Sequence, residues 1–493
     1  MENDTVTSDT AEAFDSLRDY IQAVDERGDL QEIRGADWDL EIGAITEAVA
    51  HSEAPRALLF DDVEGYPEGY RVATNLYITE DLQALGLGLD PSLSGVDLVK
   101  QWRKRTNDLE LHEPVAVDDG PVRENVMEGD DVDITKIPVP FWHEHDGGRF
   151  FGTGDTVTTR GVDGEWKNTA VYRSQIHDEK TLGILVVQTH HGWGQMAEHW
   201  ERGEDAPILI TGGQSPYLYA AACLPLPRGK TEMEYAGGLK GEPLEVIEDE
   251  DTGLPVPAHA EIAVLGHVPP PEEELRLEGP FGECGGYYAG GTQERPVIHI
   301  DKIWHRDNPI LQGNPPMAGS ASEHALGAEI STSARIWDSI DDDIPNVRGV
   351  YSVYQECQAG CDFTAVSIKQ DYAGHAKQAA AAAMGAYANV TMNNAVIVVD
   401  EDIDPANTDE VLFALTSRCD PAQDIDIVRG VPSMELDARI SPERKEAGDL
   451  TTSSMLIDAC KPYHWREEYP LTNRLEEDHR AEVVEKWNLD DWE

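Results

Sequence analysis

Short β-rich runs separated by Gly and Asp fill the middle of this chain, and they constrain its fold more than any other feature. The runs lie at residues 156–159, 169–172, 182–187, 262–266 and 297–300. Several short strands at this spacing predict a β-barrel or a β-sandwich. One helix, at about residues 191–202, is expected to interrupt the strands between residues 116 and 320.

Helical patterns and short strands alternate before this central segment. Apolar residues recur at helical spacing over residues 11–35, which predicts one helix there. Strands are expected at residues 57–60 and 70–74, followed by a helix over residues 90–106. The N-terminal part therefore predicts an α/β domain.

A strand–helix–strand pattern follows the central segment. It consists of a β-rich run at residues 363–368, an Ala-rich helix over 375–388 and an apolar run at 395–399. A continuous apolar run of this kind suits a buried parallel strand, so the three elements predict a βαβ unit. The fold class is therefore α/β in three parts: an N-terminal α/β domain (1–115), a β-rich domain (116–320) and a C-terminal α/β domain (321–493).

The charge of the chain excludes several classes of partner. Asp and Glu number 95 against 38 Lys and Arg, so the formal net charge is −57. Such a chain repels phosphate backbones and anionic membranes, and we expect neither nucleic acid nor membrane as a partner. Acids spread along the whole length are typical of cytoplasmic proteins from salt-accumulating halophiles, because concentrated salt screens the self-repulsion.

Cysteine usage and the N-terminal residues agree with a cytoplasmic location. The six cysteines do not form the paired spacing of a zinc knuckle and are interpreted as reduced thiols. Met1 is followed by acidic and polar residues, so no signal peptide is expected. No run approaches 18 apolar residues, and no membrane-spanning helix is predicted.

Two carboxylates flank a rigid turn in the central segment. Glu278 and Glu283 are separated by Gly-Pro-Phe-Gly, a turn that can aim both side chains into one pocket. Mutual repulsion and burial would then separate their pKa values, leaving one carboxyl ionised and the other as a proton donor. The alternative is a pair of solvated loop glutamates, which is common in a chain this acidic.

A second set of residues has the chemistry of a metal–phosphate site. Asn168 and Glu232 offer oxygen ligands, His190 and His191 offer ring nitrogens, and Arg173 offers a fork for a carboxylate or a phosphate. Together they would suit Mn²⁺ or a similar ion bridging a phosphate. The alternative is that these are unrelated structural residues, since spacing alone does not bring them together.

The sequence His143-Glu144-His145-Asp146 resembles a metal motif, since alternate histidines on a strand share one face. It also fits a buried turn in which Asp146 accepts hydrogen bonds from backbone amides before two glycines. We favour the structural interpretation.

Motifs along nearly the whole chain, in order, resemble those of the UbiD-family decarboxylases, which use prenylated FMN to remove CO₂ from unsaturated or aromatic acids. The segments that carry the resemblance are PVPFWHEHDGG at 138–148, residues 168–173 and 190–191, LPLP at 224–227, Glu232, EGPFGECGGY at 278–287, DYAGHAK at 371–377 and TSRCDP at 416–421. The resemblance implies an N-terminal α/β domain, a split β-barrel that holds the flavin, and a C-terminal α/β domain used in oligomerisation.

The resemblance also implies a set of site residues. Arg173, Glu278 and Glu283 match the catalytic network of the family, with Glu283 as the proton donor. Asn168, His191 and Glu232 match the Mn²⁺ ligands that anchor the cofactor phosphate, although the adjacent His190 leaves the choice of histidine open. A potassium ion is implied near the carbonyls of Trp166 and residues 222–224. The implied cofactor-binding residues are Asn168, Ala170, Val171, Arg173, His190, His191, Cys223, Leu224 and Glu232.

The implied reaction is a reversible, non-oxidative decarboxylation of an aromatic or α,β-unsaturated acid. The expected partners are the small acid substrate, a flavin prenyltransferase that supplies the cofactor, and further copies of the chain in a homodimer or homohexamer. The chain departs from the family at two places. Ala222-Cys223-Leu224 replaces a Ser-Ser-Met of the fungal members, and residues 392–395 lack the lysine of the ubiquinone-pathway members. The alternative is an inactive flavin-binding subunit of a larger carboxylase.

Overall fold

The structure is a computed structural model that describes residues 13–283, 286–317, 326–353, 363–386, 394–473 and 477–488. Several residues noted in the sequence lie outside this part of the chain: Cys284, Cys357, Cys361, Met392 and Asn393. Within the described residues, Cys223, Cys419 and Cys460 are free thiols. No helix of the described part combines the length and apolarity needed to cross a bilayer.

Helices and sheets are mixed, as the predicted fold class requires. The described helices are α1 (Leu17–Arg27), α2 (Glu41–Ala50), α3 (Glu80–Gly86), α4 (Gly95–Asn107), α5 (His191–Trp200), α6 (Pro216–Ala222), α7 (Glu232–Lys240), α8 (Ala328–Asp341), α9 (His375–Gly385), α10 (Thr408–Arg418), α11 (Pro442–Glu446) and α12 (Glu477–Trp487).

The described strands form four sheets. They are β1 (Leu30–Arg34), β2 (Ala57–Asp61), β3 (Arg71–Thr74), β4 (Val115–Ala116), β5 (Asn125–Glu128), β6 (Thr156–Arg160), β7 (Lys167–Ala170), β8 (Ser174–Asp178), β9 (Thr181–Ile184), β10 (Ala206–Gly212), β11 (Glu245–Glu248), β12 (Pro255–Pro257), β13 (Ile262–Val268), β14 (Leu275–Glu278), β15 (Gln293–His305), β16 (Ile310–Gln312), β17 (Val347–Val353), β18 (Phe363–Ile368), β19 (Ala395–Asp400), β20 (Ile425–Pro432) and β21 (Thr451–Asp458).

The N-terminal sheet has the order β1-β2-β3-β16, so a strand from late in the central segment completes it. The predicted helix over residues 11–35 is wrong in its length. α1 ends at Arg27 because Gly28 adopts a left-handed conformation, with φ of 82°, and its N–H caps the helix. The chain then continues as β1. The apolar face of α1 is buried, which contributes about 1.5–3 kcal/mol for each large side chain.

The central sheet curls because its two edge strands are covalent neighbours. Its main path is β7-β6-β10-β13-β15-β9-β8. In a flat sheet, strands spaced at about 4.8 Å would place the edges roughly 29 Å apart. However, only residues 171–173 join β7 to β8, and the chain from Ala170 to Ser174 spans at most about 14 Å. The sheet must therefore roll until its edges meet at residues 171–173.

The prediction of a single helix in the central segment is wrong, because α6 and α7 accompany α5 there. Every residue of α6 is buried, so its sequence lacks the amphipathic periodicity that would have revealed it. α7 packs against α6 and begins at Glu232, with the Thr231 side chain accepting a hydrogen bond from the backbone N–H of Glu234. α7 thereby delivers Glu232 to the edge strand β7.

The C-terminal sheet has the order β17-β18-β19-β21-β20. β18 and β19 pair in parallel and α9 joins them, which confirms the predicted βαβ unit. The central apolar run, β19, is buried from Ala395 to Val399. The connection between β20 and β21 lines a cleft, through residues 433–436 and Leu450, whose other lining residues belong to the central segment.

Candidate active site

Arg173 lies at the point where the two edges of the central sheet meet. Its guanidinium makes two parallel hydrogen bonds to Glu278, from Nε to Oε1 at 2.8 Å and from Nη2 to Oε2 at 2.9 Å. Nη1 donates to Oε1 of Glu283. All three side chains are almost fully buried, so the two carboxylates are not the solvated loop glutamates of the alternative interpretation.

The loop after β14 aims both carboxylates at Arg173. Glu278 ends β14, and Gly279 turns the chain with a φ of 85°, which favours glycine. The Gln175 side chain ties this loop to the sheet, since its Oε1 accepts from Gly279 N–H and its Nε2 donates to the Gly147 carbonyl, both at 2.8 Å. The ring of Phe281 lies 5.3 Å from the Arg173 guanidinium and closes the site on that side.

The two acids of this cluster differ in their surroundings. One guanidinium faces two buried carboxylates, so a proton on one of them would restore neutrality. Glu278 makes the bidentate contact that the guanidinium fork offers. Burial raises the pKa of Glu283 although Arg173 opposes this, and Glu278 and Glu435 add to the rise. Although burial disfavours the charge on Arg173, the two glutamates hold its pKa above the ordinary value. The raised pKa of Glu283 favours the protonated form of this carboxyl.

Residues 143–146 form a structural turn that contacts the loop between Glu278 and Glu283. Asp146 accepts hydrogen bonds from the His143 backbone N–H at 3.1 Å, from the Tyr288 hydroxyl at 3.1 Å and from Gly282 N–H at 3.4 Å. The next residue, Gly147, donates its N–H to the Pro280 carbonyl at 2.7 Å. Within the described residues, no three His, Cys, Asp or Glu side chains are arranged to hold a metal ion.

The residues predicted to hold a metal and a phosphate line one cavity of about 600 Å³. Asn168 comes from β7, His190 and His191 from the start of α5, and Glu232 from the first turn of α7. Four more lining residues were named from the sequence: Ala170, Val171, Cys223 and Leu224. The structure thus brings the predicted ligand set together. Arg173 lies three residues beyond Ala170, in the link between β7 and β8.

Two observations show that this cavity suits a cation and a phosphate. Asn168 is buried, and its Nδ2 has no hydrogen-bond partner among the described residues, so a phosphate oxygen could accept from it. Glu232 is buried too, and its Oε2 accepts a hydrogen bond from Thr169 N–H at 2.7 Å. Burial raises the pKa of Glu232 to about 7, so a cation beside it would stabilise the ionised carboxylate. The residues present therefore fit the implied group.

Both histidines stay candidates for the ligand. The His191 ring packs edge-on against the Trp166 ring at 5.0 Å, whereas the His190 ring lies 5.8 Å from the Tyr172 ring. His190 also lines a larger cleft of about 1130 Å³ between the central segment and the connection from β20 to β21. The sequence did not single out Arg335 on α8, which lines the smaller cavity with the predicted ligands. A lone arginine on an amphipathic helix carries no sequence signal for this role.

The chain matches known protein families along most of its length. Three domain families of 3-octaprenyl-4-hydroxybenzoate carboxy-lyase match in order: the N-terminal domain over residues 21–102, the Rift-related domain over 113–318 and the C-terminal domain over 326–459. The chain belongs to the UbiD family of carboxy-lyases. It is 33% identical to the pyrrole-2-carboxylic acid decarboxylase of Pseudomonas aeruginosa, over 83% of this chain and 84% of that protein. It is 30% identical to a phenolic acid decarboxylase of Escherichia coli, over 91% and 93% of the two chains.

Solved structures of UbiD-class enzymes share this fold. The vanillic acid decarboxylase of Sedimentibacter hydroxybenzoicus in its open form superposes with a TM-score of 0.84 at 27% identity, covering 97% of this chain and 100% of that one. The UbiD-class enzyme HmfF of Pelotomaculum thermopropionicum in complex with FMN superposes with a TM-score of 0.83 at 26% identity, covering 95% and 99%. An evolved dimeric form of HmfF is known in complex with prenylated FMN.

Proposed function

We propose that this UbiD-family chain catalyses the reversible, non-oxidative decarboxylation of an aromatic or α,β-unsaturated carboxylic acid with prenylated FMN. The observation that carries the proposal is the buried cluster of Arg173, Glu278 and Glu283. Arg173 of this cluster lies five residues along the chain from Asn168, which lines the cavity of about 600 Å³. Support comes from relatives named as decarboxylases of pyrrole-2-carboxylic and phenolic acids, and from a solved neighbour with prenylated FMN.

The cofactor would be held by its phosphate in the cavity of about 600 Å³. Asn168, Glu232 and His191 or His190 would bind a Mn²⁺-type ion beside that phosphate, and backbone carbonyls near Trp166 and residues 222–224 would bind K⁺. Carbanion-like charge develops when CO₂ leaves, and the modified flavin ring supplies the electron sink that protein side chains lack.

The roles of the side chains follow from their contacts. Glu283 holds the proton that replaces CO₂ on the substrate carbon, and it accepts a proton when the reaction runs towards carboxylation. Glu278 fixes the Arg173 guanidinium through two hydrogen bonds. Arg173 in turn orients Glu283. The rings of Phe281 and Phe150, whose centroids are 4.2 Å apart, exclude water behind Arg173 and strengthen these interactions.

The wider assignments belong to the same proposal. A flavin prenyltransferase would supply the cofactor, the chain would form a homodimer or a homohexamer, and it would work in the cytoplasm of a salt-accumulating cell. The boundaries 1–115, 116–320 and 321–493 are supported by the family matches, which leave gaps near residues 103–112 and 319–325.

The experiment is reconstitution of the cofactor. The chain is co-expressed with a flavin prenyltransferase, purified in concentrated KCl and examined by absorbance spectroscopy and by CO₂ release from a panel of aryl and acrylic acids. We expect a coloured protein with a tightly bound modified flavin and CO₂ release from at least one acid. A protein that binds no FMN derivative under these conditions would eliminate the proposal.

A further inference from the structure

Gln195 of α5 is a buried amide that joins this helix to the central sheet. It is 2% exposed. Its Nε2 donates to the backbone carbonyl of Trp166 at 3.1 Å, and its Oε1 accepts from the Thr159 hydroxyl at 2.6 Å. A backbone carbonyl can only accept, so the contact with Trp166 fixes which end of the amide carries the nitrogen. Both ends of the Gln195 amide are therefore paired with residues of the sheet.

The two partners of Gln195 lie on either side of Asn168. Thr159 of β6 stands directly opposite Asn168 of β7 in the ladder that joins these strands. Side chains that stand opposite each other in a ladder lie on the same face of the sheet. Trp166 precedes Asn168 by two residues along the chain. Gln195 thus holds α5 against the part of the sheet that carries this candidate ligand.

The first turn of α5 packs on the same two partners. His191 precedes Gln195 by four residues, which places both on one face of the helix. The His191 ring lies edge-on to the Trp166 ring at 5.0 Å. A Cβ on Gly192 would lie 3.4 Å from Thr159 Oγ1, so the backbone of this turn also contacts Thr159. The contacts of Gln195 therefore continue up to the histidine pair.

We propose that Gln195 is a positioning residue for the site that would hold the cofactor phosphate: it fixes the start of α5, and with it His190 and His191, against the strand that carries Asn168. This inference rests on the proposed cofactor site. The two histidines and Asn168 line the cavity of about 600 Å³, whereas Gln195 is not among its described lining residues. Gln195 therefore acts through its hydrogen bonds and not by touching the cofactor.

The two hydrogen bonds matter because the candidate ligands belong to different elements. Asn168 belongs to β7, and the histidines belong to the start of α5. Without the amide, α5 could shift on the sheet and change the distance between these side chains. Loss of a residue that orients a metal ligand typically lowers metal affinity 10- to 100-fold. The Trp166 carbonyl is also among those proposed to bind K⁺, and Gln195 fixes its orientation.

The test compares the binding of FMN with that of riboflavin, which lacks the phosphate. Flavin fluorescence is measured on the full-length chain in concentrated KCl with Mn²⁺. Gln195→Met keeps the length of the side chain and removes the amide, so FMN affinity should fall roughly 10-fold while riboflavin affinity stays the same. Thr159→Val should lower FMN affinity less, because the hydrogen bond to Trp166 remains.

The matched control is Thr46→Val, which removes a buried hydrogen bond far along the chain from this site. The Thr46 and Thr74 hydroxyls are 2.9 Å apart in the N-terminal part, and both residues are buried. This variant should lower the Tm and leave the affinity for both flavins unchanged. It separates a general loss of stability from a defect in the phosphate site.

Unchanged FMN affinity in both Gln195→Met and Thr159→Val would overturn this inference, while FMN binding by the wild type leaves the proposed function in place. Equal losses for FMN and riboflavin would overturn it as well, because the defect would not depend on the phosphate. If Gln195→Met does not fold, the same comparison on Thr159→Val decides. A wild-type chain that binds no FMN would remove the proposed function and this inference with it.

Discussion

Arg173 and Glu278, 105 residues apart in the sequence, meet through two parallel hydrogen bonds of 2.8 and 2.9 Å. A guanidinium has a planar fork that matches both oxygens of a carboxylate, whereas an ammonium is a point charge. This pair joins the link between β7 and β8 to the end of β14. The position of Glu283 depends on it, because the third arm of the same guanidinium binds that carboxyl.

Replacing Arg173 by lysine should therefore lower kcat despite the retained charge. The lysine cannot bind Glu278 at both oxygens and Glu283 at the same time, and a donor displaced by about 1 Å costs on the order of 100-fold in rate. The measurement is kcat and cofactor content of Arg173→Lys beside the wild type. Equal kcat at equal flavin occupancy would show that the fork geometry is not needed.

The pH profile should reveal the protonated state of Glu283. Since burial raises the pKa of this carboxyl and a proton donor must be protonated, activity should fall as pH rises through that raised pKa. The limb should lie above the value of about 4.3 for a free glutamic acid. Glu283→Gln should keep the flavin spectrum and lose roughly 100- to 10,000-fold in kcat. A profile that is flat through this range in the wild type would contradict the assignment.

Removing the buried carboxylate that lines the cavity of about 600 Å³ should weaken cofactor retention. Glu232→Gln should lose a metal ligand and lower the affinity for FMN by roughly 10- to 100-fold, measured by flavin fluorescence with Mn²⁺ present and after chelation. Glu234→Gln on the same helix serves as the control, because its side chain does not line the cavity. Equal affinity in both variants, with and without chelator, would exclude Glu232 from the metal site.

Gly147→Ala should destabilise the loop that carries the acids. A Cβ on Gly147 would lie 1.9 Å from the carbonyl oxygen of Gly279, so the two backbones must separate, at a cost of about 1–3 kcal/mol. Gly194→Ala is the control, because a Cβ there meets nothing within 4 Å and alanine is the better helix former in α5. Thermal unfolding of both variants checks this, and an unchanged Tm in Gly147→Ala would refute the close contact.

Salt should stabilise the folded chain. With a net charge of −57, self-repulsion is strong in dilute buffer, and at about 1 M salt the screening length falls to roughly 3 Å. We expect Tm to rise steadily between 0.1 and 2 M KCl. If Tm is already maximal at 0.1 M, salt adaptation is not the reason for the acidity.

The sequence predicted the outline of the fold because its strongest patterns are local. The apolar run of β19 and the Ala-rich helix α9 specify a βαβ unit through neighbouring residues alone. α6 escaped prediction because it is buried on every side and shows no amphipathic period. The end of α1 was misplaced because the apolar spacing continues into β1, past the glycine that terminates the helix.

The sequence named residues that line the candidate site, whereas their geometry could not be predicted from it. Asn168 and Glu232 could be named from the sequence, but only the packing of α7 on β7 brings them together. Arg335 gave no signal, because a single arginine on an amphipathic helix does not reveal the cavity that it lines. Such contacts depend on long-range topology, which no local pattern encodes.

The three-residue link between the edge strands limits how this enzyme could be altered. The link fixes the distance between Asn168, which lines the cavity of about 600 Å³, and Arg173, which binds Glu278 and Glu283. An insertion at residues 171–173 would change the distance between Asn168 and Arg173. Engineering of the substrate range should therefore leave this link at its present length. Met434 on the wall of the larger cleft offers a place where a side chain can be exchanged without altering that spacing.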